Sequence, residues 1–394
     1  MRIVAAEART VRVAAAARSA SASFEDMTAT ALAIETDIRR NGNPLVGLAF
    51  DSVGRYDHTA LLRERFIPRL LAADPERYAA EEGGIDPSRA WAVLMTDEKP
   101  GGHGERGGAV GLLDAALWDV AAKAAEVPLW RYLTDLEPGV DDRRRAIAEV
   151  YASGGHYRPQ HDVERLCDDI SRAIARGHRR FKIKIGGAEL PKDIERVEAV
   201  LARLAPGMSL AVDANGVFNL ESALRYAEAL ADYPVMWLEE PVNPLDFEAH
   251  RALAEHTGVP LAVGKNLFSA DDARNLLRYG GLRPDRDTLQ FDISLSYGIV
   301  EYRRILDALA ARGWSRARCA PNAGHLLALH VVAGFGLDLA EFAMDGATLF
   351  GKLTSGIAVR DSRASVPEAP GAGFEAIPDF AEIFGGLLNR VCSN

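Results

Sequence analysis

From about residue 144 onward the sequence repeats one pattern, and this pattern limits the fold more than any other feature of the chain. A short apolar run is followed by a segment whose apolar residues have helical spacing, and the pair recurs up to residue 342. Continuous apolar runs are typical of parallel strands that are buried on both faces. Eight such strands with intervening helices predict a (β/α)8 barrel, the closed form of such a sheet. The predicted strands are 147–151, 181–185, 210–212, 235–238, 261–263, 289–291, 317–319 and 337–342.

Residues 1–125 precede the repeat and have a different order of elements. Segments that alternate apolar and polar residues come first, and segments with helical spacing follow them. Strands first and helices later is the pattern of an α+β unit, so these residues are predicted to form a lobe separate from the barrel. The predicted strands are 2–14, 28–35 and 45–50, and the predicted helices are 59–73 and 88–94.

The charge and the cysteine content exclude several classes of protein. With 46 Lys and Arg against 56 Asp and Glu, the formal net charge of −10 disfavours nucleic acid and anionic membranes as partners. Cys167, Cys319 and Cys392 are widely spaced and form no CxxC pair, which predicts neither a disulfide framework nor a cysteine zinc site. No apolar run approaches the roughly 20 residues that span a bilayer, and Glu7 lies within what would have to be the apolar core of a signal peptide. We therefore expect a cytoplasmic protein.

A polar or charged residue follows almost every predicted barrel strand. Counted from Lys184, these residues are separated by 29, 26, 26, 27, 30 and 19 positions, and each step is roughly the length of one strand–helix unit. The carboxyl ends of barrel strands open on one mouth, which is the active-site face of this fold. The sequence therefore predicts that these side chains converge there. They are Lys182, Lys184, Asp213, Glu239, Glu240, Lys265, Asp292, Asn322 and Glu341.

Short motifs at these positions resemble those of the enolase superfamily, in its mandelate racemase/muconate lactonizing group. They are Lys182-Ile-Lys184, Val212-Asp-Ala-Asn215, Trp237-Leu-Glu-Glu-Pro241 and Ala115-Ala-Leu-Trp-Asp119. Within this group the chain is most similar to the D-tartrate dehydratases. The segments that carry this likeness are Lys99-Pro-Gly-Gly-His-Gly-Glu-Arg106, 266–268, 272–280, 283–286, 289–292 and 295–298.

The resemblance implies the architecture of the whole chain. The expected fold is an α/β, modified (β/α)8 barrel with an N-terminal α+β capping domain. The capping domain would comprise residues 1–125, completed by residues 360–394, and the barrel residues 126–359. Barrels of this group are usually homo-oligomers, so the resemblance also implies assembly with further copies of the chain.

The same resemblance implies a reaction that begins with removal of the proton next to a substrate carboxylate. That proton is weakly acidic, so the resulting enolate must be stabilised as its charge develops. In the family, a Mg²⁺ ion held by three carboxylates supplies this field. A dehydratase then helps a β-hydroxyl group to leave as water. The chain is therefore expected to be a hydro-lyase that acts on a small, D-tartrate-like hydroxy acid.

Residue by residue, the resemblance assigns roles at the predicted mouth. Lys184 matches the base of the second strand and Lys182 lies beside it, and two neighbouring ammonium groups depress each other's proton affinity. Asp213 and Glu239 match the first and second metal ligands. The other matches are Asp292 as the aspartate of a catalytic His–Asp dyad, Glu341 and Asn215 as substrate contacts, Lys99 as a catalytic lysine of the capping lobe, and Arg55 and Tyr56 as substrate contacts in its specificity loop. For Lys99, an exposed and solvated lysine is the alternative.

The position of the third metal ligand departs from the family pattern. The family has a glutamate there, but this chain reads Val263-Gly-Lys265-Asn266. An ammonium group has three donors and no acceptor, so it cannot ligate a divalent cation. A protonated Lys265 between Asp213 and Glu239 would instead replace Mg²⁺ with a fixed positive charge.

The second departure concerns the dyad. Asn322 stands where the tartrate dehydratase pattern has a histidine, and an amide neither takes up nor releases a proton near pH 7. Asn322 is then a hydrogen-bonding substrate contact at most. His325 lies three residues further on, and two alternatives are open: it could turn toward Asp292 as a catalytic group, or it could cap the following helix.

Three functions remain compatible with the sequence. The first is a dehydratase-like reaction on a small hydroxycarboxylate. The second is another enolate reaction, such as isomerisation or racemisation, with Lys184 as the base and Lys265 as the electrophilic charge in place of a metal. The third is a catalytically silent barrel that binds small carboxylates.

Overall fold

The structure is a computed structural model. It describes residues 1–12, 19–21, 23, 25–52, 56–81, 83–137, 146–344, 349–352, 354, 356–377, 380 and 383–387. The predicted site residue Arg55 lies outside these ranges, as do Cys392 and parts of the segments 2–14 and 360–394.

The N-terminal lobe begins with a three-stranded antiparallel sheet of order β1-β2-β3. Asn41 and Gly42 connect β2 to β3, and both have positive φ angles, of 51° and 83°. Two left-handed residues form the tight hairpin turn whose twist matches that of the flanking strands, which is why an Asn-Gly pair occurs there. The strands are β1 (Ile3–Arg12), β2 (Thr28–Arg40) and β3 (Asn43–Phe50).

Helices cover this sheet and connect it to the barrel. The helix α4 is apolar around its circumference and buried along almost its whole length, so it packs both against the sheet and against the barrel. No helix of the described residues is long and apolar enough to cross a membrane. The helices are α1 (Thr59–Leu61), α2 (Ile67–Ala72), α3 (Pro87–Leu94), α4 (Arg106–Ala124) and α5 (Leu129–Asp135), with a π-helical turn at Leu62–Phe66.

Two glycines within α4, Gly108 and Gly111, allow close packing of this helix against neighbouring segments. A Cβ atom at Gly108 would lie 2.5 Å from Nε2 of His58, and one at Gly111 would lie 1.7 Å from the carbonyl oxygen of Ser294. Glycine is therefore required where α4 packs against His58 of the lobe and against Ser294 of the barrel. These two glycines therefore face neighbouring segments of the chain.

The second half of the chain forms the predicted parallel sheet with helices between the strands. The strands β4 to β9 pair in chain order, and β10 pairs with β4 to bring the sheet round. The strands are β4 (Ile147–Ser153), β5 (Arg180–Lys184), β6 (Ser209–Asp213), β7 (Val235–Glu239), β8 (Leu261–Val263), β9 (Thr288–Leu289) and β10 (Ala340–Ala343). The helices are α6 (Asp162–Ala175), α7 (Leu190–Leu201), α8 (Leu220–Leu230), α9 (Phe247–His256), α10 (Ala270–Tyr279), α11 (Ile299–Ala310), α12 (Leu326–Phe335) and α13 (Leu349–Lys352).

The seventh predicted strand, 317–319, is not a regular strand. A 3₁₀ turn at Arg316–Arg318 takes its place, and the hydroxyl of Ser315 accepts a hydrogen bond from the amide of Ala317. The ring closes through one parallel bridge between Leu289 and Cys319 and through the amide of Asp338, which donates to the Cys319 carbonyl. The segment 317–319 reads Ala-Arg-Cys, which is too short and too polar to form a ladder on both sides.

The C-terminal segment divides between the barrel and the lobe. The strands β11 (Val359–Arg360) and β12 (Arg363–Ser365) form a hairpin, and β12 pairs antiparallel with β4. These residues extend the barrel sheet, although 360–394 was assigned above to the capping domain. Further along, the ring of Phe380 packs on Phe50 of the lobe, with 4.9 Å between ring centroids. The domain limits 1–125 and 126–359 stay a prediction.

Candidate active site

The side chains at the carboxyl ends of β5, β6 and β7 lie side by side. In the parallel register, Lys184 is the partner of Asp213, and Asp213 is the partner of Glu239. Lys182 lies two residues before Lys184, and side chains two positions apart on a strand point to the same side of the sheet. The three strand ends therefore present two lysines and two carboxylates to one place.

Six predicted side chains form one buried network at this mouth, which we call the lysine–carboxylate cluster. Lys265 follows β8 and Glu341 lies in β10, and these two residues complete the network. No member has more than 10 % of its side chain exposed. The members are Lys182, Lys184, Lys265, Asp213, Glu239 and Glu341.

The two lysines of β5 bind different carboxylates. The Nζ atom of Lys182 lies 2.6 Å from Oε1 of Glu239 and 3.2 Å from Oε1 of Glu341. The Nζ atom of Lys184 donates to Oδ2 of Asp213 over 2.6 Å. Each ammonium group is therefore held by a buried ion pair.

Lys265 lies between the two carboxylates that match metal ligands. Its Nζ atom is 2.9 Å from each oxygen of Asp213 and 2.7 Å from Oε1 of Glu239. The ammonium group of Lys265 therefore bridges the two carboxylates.

Neutral donors occupy the remaining oxygen positions of these carboxylates. Oε2 of Glu239 accepts hydrogen bonds from Nε1 of Trp237 over 3.1 Å and from Nε2 of Gln290 over 2.8 Å. Oδ1 of Asp213 accepts from the backbone amide of Asn215 over 2.9 Å, and Oδ2 from its side-chain amide over 3.3 Å. Neither the contact of Trp237 nor that of Gln290 with Glu239 was predicted. The signal for Gln290 is a polar residue inside the apolar run 289–291.

Burial and charge act differently on the three lysines. Burial lowers the pKa of Lys184, and the charges of Lys182 and Lys265 lower it further, so it lies below its ordinary value despite the opposing effect of Asp213. For Lys182 and Lys265, burial acts in the same direction, but the neighbouring carboxylates outweigh it and raise the pKa of both. Burial alone would raise the pKa of Glu341, but the charges of the three lysines and a hydrogen bond from Ser153 together outweigh it and lower that pKa to about 2. Lys184 is thus the easiest lysine of the cluster to deprotonate.

The donor set of the cluster does not fit a divalent metal ion. Mg²⁺ requires oxygen ligands with free lone pairs, but ammonium, amide and indole groups occupy those of Asp213 and Glu239. Lys265 would also repel a second cation at short range. Among the residues that the structure describes, no group of three or more His, Cys, Asp or Glu side chains is arranged to hold a metal. Glu240 is not part of such a group, and its carboxylate accepts hydrogen bonds from the Gly264 amide over 2.9 Å and from Nδ2 of Asn266 over 3.3 Å.

Asp292 contacts the N-terminal lobe. Its Oδ2 atom accepts hydrogen bonds from Oγ of Ser52 over 2.5 Å and from Nδ2 of Asn322 over 3.3 Å, and its Oδ1 atom accepts from the Leu295 amide over 2.9 Å. Since Asn322 donates through an amide group, this pair cannot transfer a proton as a His–Asp dyad would.

A second group missed from the sequence lies next to Ser52. The ring of His58 is buried, with Nδ1 2.7 Å from Oδ2 of Asp51 and Nε2 3.1 Å from Oε2 of Glu105. Burial alone would lower the pKa of His58, but Asp51 and Glu105 outweigh it and raise that pKa. Asp51 and Ser52 directly follow the apolar run 45–50, which is the same signal that identified the barrel residues.

The structure does not support a catalytic role for His325. Its Nδ1 atom accepts a hydrogen bond from the Leu327 amide over 3.1 Å and so caps α12, while its Nε2 atom lies 3.0 Å from the carbonyl oxygen of Phe50. Burial lowers the pKa of His325 to about 4, so the ring is neutral. Of the two alternatives, the helix cap is the one that the structure favours.

The predicted site residues of the N-terminal lobe, Lys99 and Tyr56, are not brought into the cluster. Lys99 is exposed, which agrees with the alternative that it is a solvated lysine. Its backbone carbonyl accepts a hydrogen bond from Arg106 over 2.8 Å. Tyr56 has 59 % of its surface exposed. Arg55 lies outside the described residues.

Comparison with known proteins identifies the family. A sequence model of the family described as "Enolase C-terminal domain-like" matches residues 165–380, which is more than half of the chain. The chain belongs to the enolase superfamily. The predicted fold, an α/β barrel with an N-terminal lobe, is thereby confirmed.

Relatives of this enolase superfamily member include enzymes of two reaction types. It is 30 % identical to the 3,6-anhydro-alpha-L-galactonate cycloisomerase of Streptomyces coelicolor over 77 % of each chain. It is 27 % identical to the arabinonate dehydratase of Saccharolobus solfataricus over 66 % of this chain and 68 % of that enzyme. A solved structure of L-talarate dehydratase from Polaromonas sp. JS666, complexed with Mg and L-glucarate, has a TM-score of 0.74 at 24 % identity. The match covers 95 % of this chain and 97 % of that one, and it shows the same fold.

Proposed function

We propose that this chain removes the proton alpha to the carboxylate of a small hydroxy acid and eliminates water, as an acid-sugar dehydratase does. The observation that carries the proposal is the position of Lys184. Its amine is buried at the barrel mouth beside two further ammonium groups, and its pKa is lowered by burial and by their charges. An amine in these surroundings serves as a general base closer to neutral pH than a solvated lysine does.

The charge balance of the cluster supports the first step. When neutral Lys184 takes the α-proton, the electron pair of the C–H bond moves into the substrate, which becomes an enediolate. Lys182 and Lys265 hold positive charges beside the same mouth and would stabilise that charge as it develops. No step is assigned to a metal ion, because the donor set does not fit one.

The elimination needs a proton for the leaving group. Asn322 cannot supply it, so the ammonium form of Lys184 returns the proton it has taken to a β-hydroxyl group on the same face of the substrate. The C–O bond breaks, water leaves, and the enol product tautomerises to a 2-oxo acid. Lys184 is then neutral again, so the cycle balances with one base.

A polyhydroxy monoacid or diacid is the substrate class that these contacts favour. The Oδ1 atom of Asn215 is buried and has no hydrogen-bond partner among the described residues, so it is an acceptor for a substrate hydroxyl group. Arabinonate and L-glucarate, in the names of the relatives, belong to this class, and D-tartrate is a short member of it. Lys265, Asn322, Glu341, Tyr56 and Arg55 remain proposed substrate contacts.

Isomerisation or cycloisomerisation is the second candidate. It shares the first step. The ammonium form of Lys184 would then return the proton to a carbon atom of the enediolate, so no hydroxide leaves and Asn322 need not act as an acid. The similarity to a cycloisomerase favours it as well.

Incubation of the protein with a panel of aldaric and aldonic acids in D₂O tests both candidates. We expect exchange at the α-carbon in NMR spectra, with loss of one water in mass spectra for dehydration and an unchanged formula for isomerisation. Lys184→Ala should lower the rate by about 10²- to 10⁴-fold, since it removes the general base. The variant Lys192→Ala, which removes an exposed lysine, is the control and should leave the rate unchanged. Binding of these acids without exchange or product would contradict the proposal and identify a silent carboxylate-binding barrel.

A further inference from the structure

The oxygen atoms at the centre of the cluster are saturated with donors. A carboxylate has about four lone-pair positions. Glu239 accepts from Lys182, Lys265, Trp237 and Gln290, over distances of 2.6 to 3.1 Å. A cation could bind Glu239 only after one of these donors had left.

Asp213 is occupied in the same way. Lys265 contacts both of its oxygens at 2.9 Å, Lys184 contacts Oδ2 at 2.6 Å, and the amide of Asn215 contacts Oδ1 at 2.9 Å. Lys265 therefore touches both carboxylates, and it is the one ammonium group of the cluster that bridges them through hydrogen bonds of less than 3 Å.

With all six of its groups ionised, the cluster is also neutral without a metal. Lys182, Lys184 and Lys265 carry three positive charges when protonated, and Asp213, Glu239 and Glu341 carry three negative charges. A divalent cation would bring two further positive charges into a buried volume in which Glu240, the neighbouring carboxylate whose charge acts on Lys265, could balance at most one of them. The cost of such an excess charge is high where water is excluded.

We propose that Lys265 is a built-in cation that excludes divalent metal ions from this site and takes over their electrostatic role. The exclusion depends on the contacts and the charges of the cluster and needs no substrate. The electrostatic role rests on the proposed function, because it requires a substrate on which negative charge develops.

The substitution Lys265→Glu tests this inference. It changes the charge of the cluster by −2, which one divalent cation neutralises, and it replaces a donor with an oxygen ligand beside Asp213 and Glu239. After dialysis against a chelator, Mn²⁺ titration followed by EPR should show no stoichiometric site in the wild-type protein. In Lys265→Glu it should show one site, bound at least about 100-fold more tightly than any Mn²⁺ on the wild type.

The variant Lys192→Glu is the matched control. Lys192 is exposed, so this substitution makes the same change of charge on the surface of α7. It should bind Mn²⁺ as weakly as the wild type. A stoichiometric Mn²⁺ site in the wild type that Asp213→Asn removes would overturn the inference, and this titration stays decisive if Lys265→Glu does not fold. A folded Lys265→Glu protein without the site would overturn it as well. None of these titrations uses a substrate, so they remain readable if the proposed reaction fails.

Discussion

Ser52 and Asn322 determine which hydrogen bonds the carboxylate of Asp292 accepts. Asp292 matches the aspartate that orients a catalytic histidine, but here its Oδ2 atom accepts from the Ser52 hydroxyl and the Asn322 amide. Ser52 follows the last strand of the N-terminal lobe, whereas Asp292 follows a barrel strand. The carboxylate therefore joins the lobe to the barrel.

A double-mutant cycle measures this link. In urea unfolding, Ser52→Ala and Asp292→Asn should each destabilise the protein. Their coupling free energy should be about 1–3 kcal/mol, because the hydrogen bond to a buried carboxylate is charge-assisted. As a control, the buried Ser362 contacts backbone amides at 179 and 180. Ser362→Ala should be additive with Asp292→Asn to within about 0.5 kcal/mol. A coupling near zero for Ser52 would refute the link.

At the level of elements, the helix α4 and the loop after β9 position one another. The missing Cβ of Gly111 lets α4 approach the carbonyl oxygen of Ser294, and the next amide, that of Leu295, donates to Asp292. Gly111 therefore affects the barrel mouth indirectly, through the packing of α4 against the loop that holds Ser294 and Leu295.

Gly111→Ala should destabilise the chain by about 1–3 kcal/mol or more, because its Cβ would lie 1.7 Å from a backbone oxygen and the backbone must move. Gly258→Ala is the matched control, since a Cβ there meets nothing within 4 Å and no positive φ is involved. Its effect should stay within about 0.5 kcal/mol. Thermal or urea unfolding measures both variants, and equal stabilities would show that the crossing of α4 is not tight.

Over the whole molecule, buried histidines make stability depend on pH. Burial lowers the pKa of His178, His325 and His330 to about 4, below their ordinary value of 6.5. Between these limits these histidines bind protons in the unfolded chain but not in the folded chain, so their contribution to stability falls as pH decreases from 6.5 toward 4. His58 acts in the opposite direction: its raised pKa contributes stability that is lost as pH rises through it.

His330→Gln tests this dependence. Its ring accepts from the Trp130 amide over 3.1 Å and lies 3.0 Å from the Ala372 carbonyl oxygen, and a glutamine amide offers the same two functions. The slope of unfolding free energy against pH between about pH 5 and 6 should decrease by up to about 1.4 kcal/mol per pH unit, the effect of one proton. The exposed His256→Gln is the control and should keep the wild-type slope. An unchanged slope in His330→Gln would show that His330 is already protonated in the folded state.

The strand–helix alternation and the position of the mouth were predictable because they depend on local periodicity. Lys182 and Lys184 share one side of a strand by alternation alone, and strand ends meet at one mouth once the strands are parallel. The seventh strand was the exception. The segment 317–319 is predicted as a strand, but the structure has a 3₁₀ turn and one bridge there.

The residues at the mouth could be named from the chain, but their contacts required the packed molecule. The hydrogen bond between Ser52 and Asp292 joins residues 240 positions apart, and the one between His325 and Phe50 joins residues 275 apart. No local pattern encodes such pairs, because they depend on how the N-terminal lobe packs on the barrel. For the same reason, the identity of Lys265 indicates a missing metal ligand, whereas the fold brings its ammonium group within 3 Å of both Asp213 and Glu239.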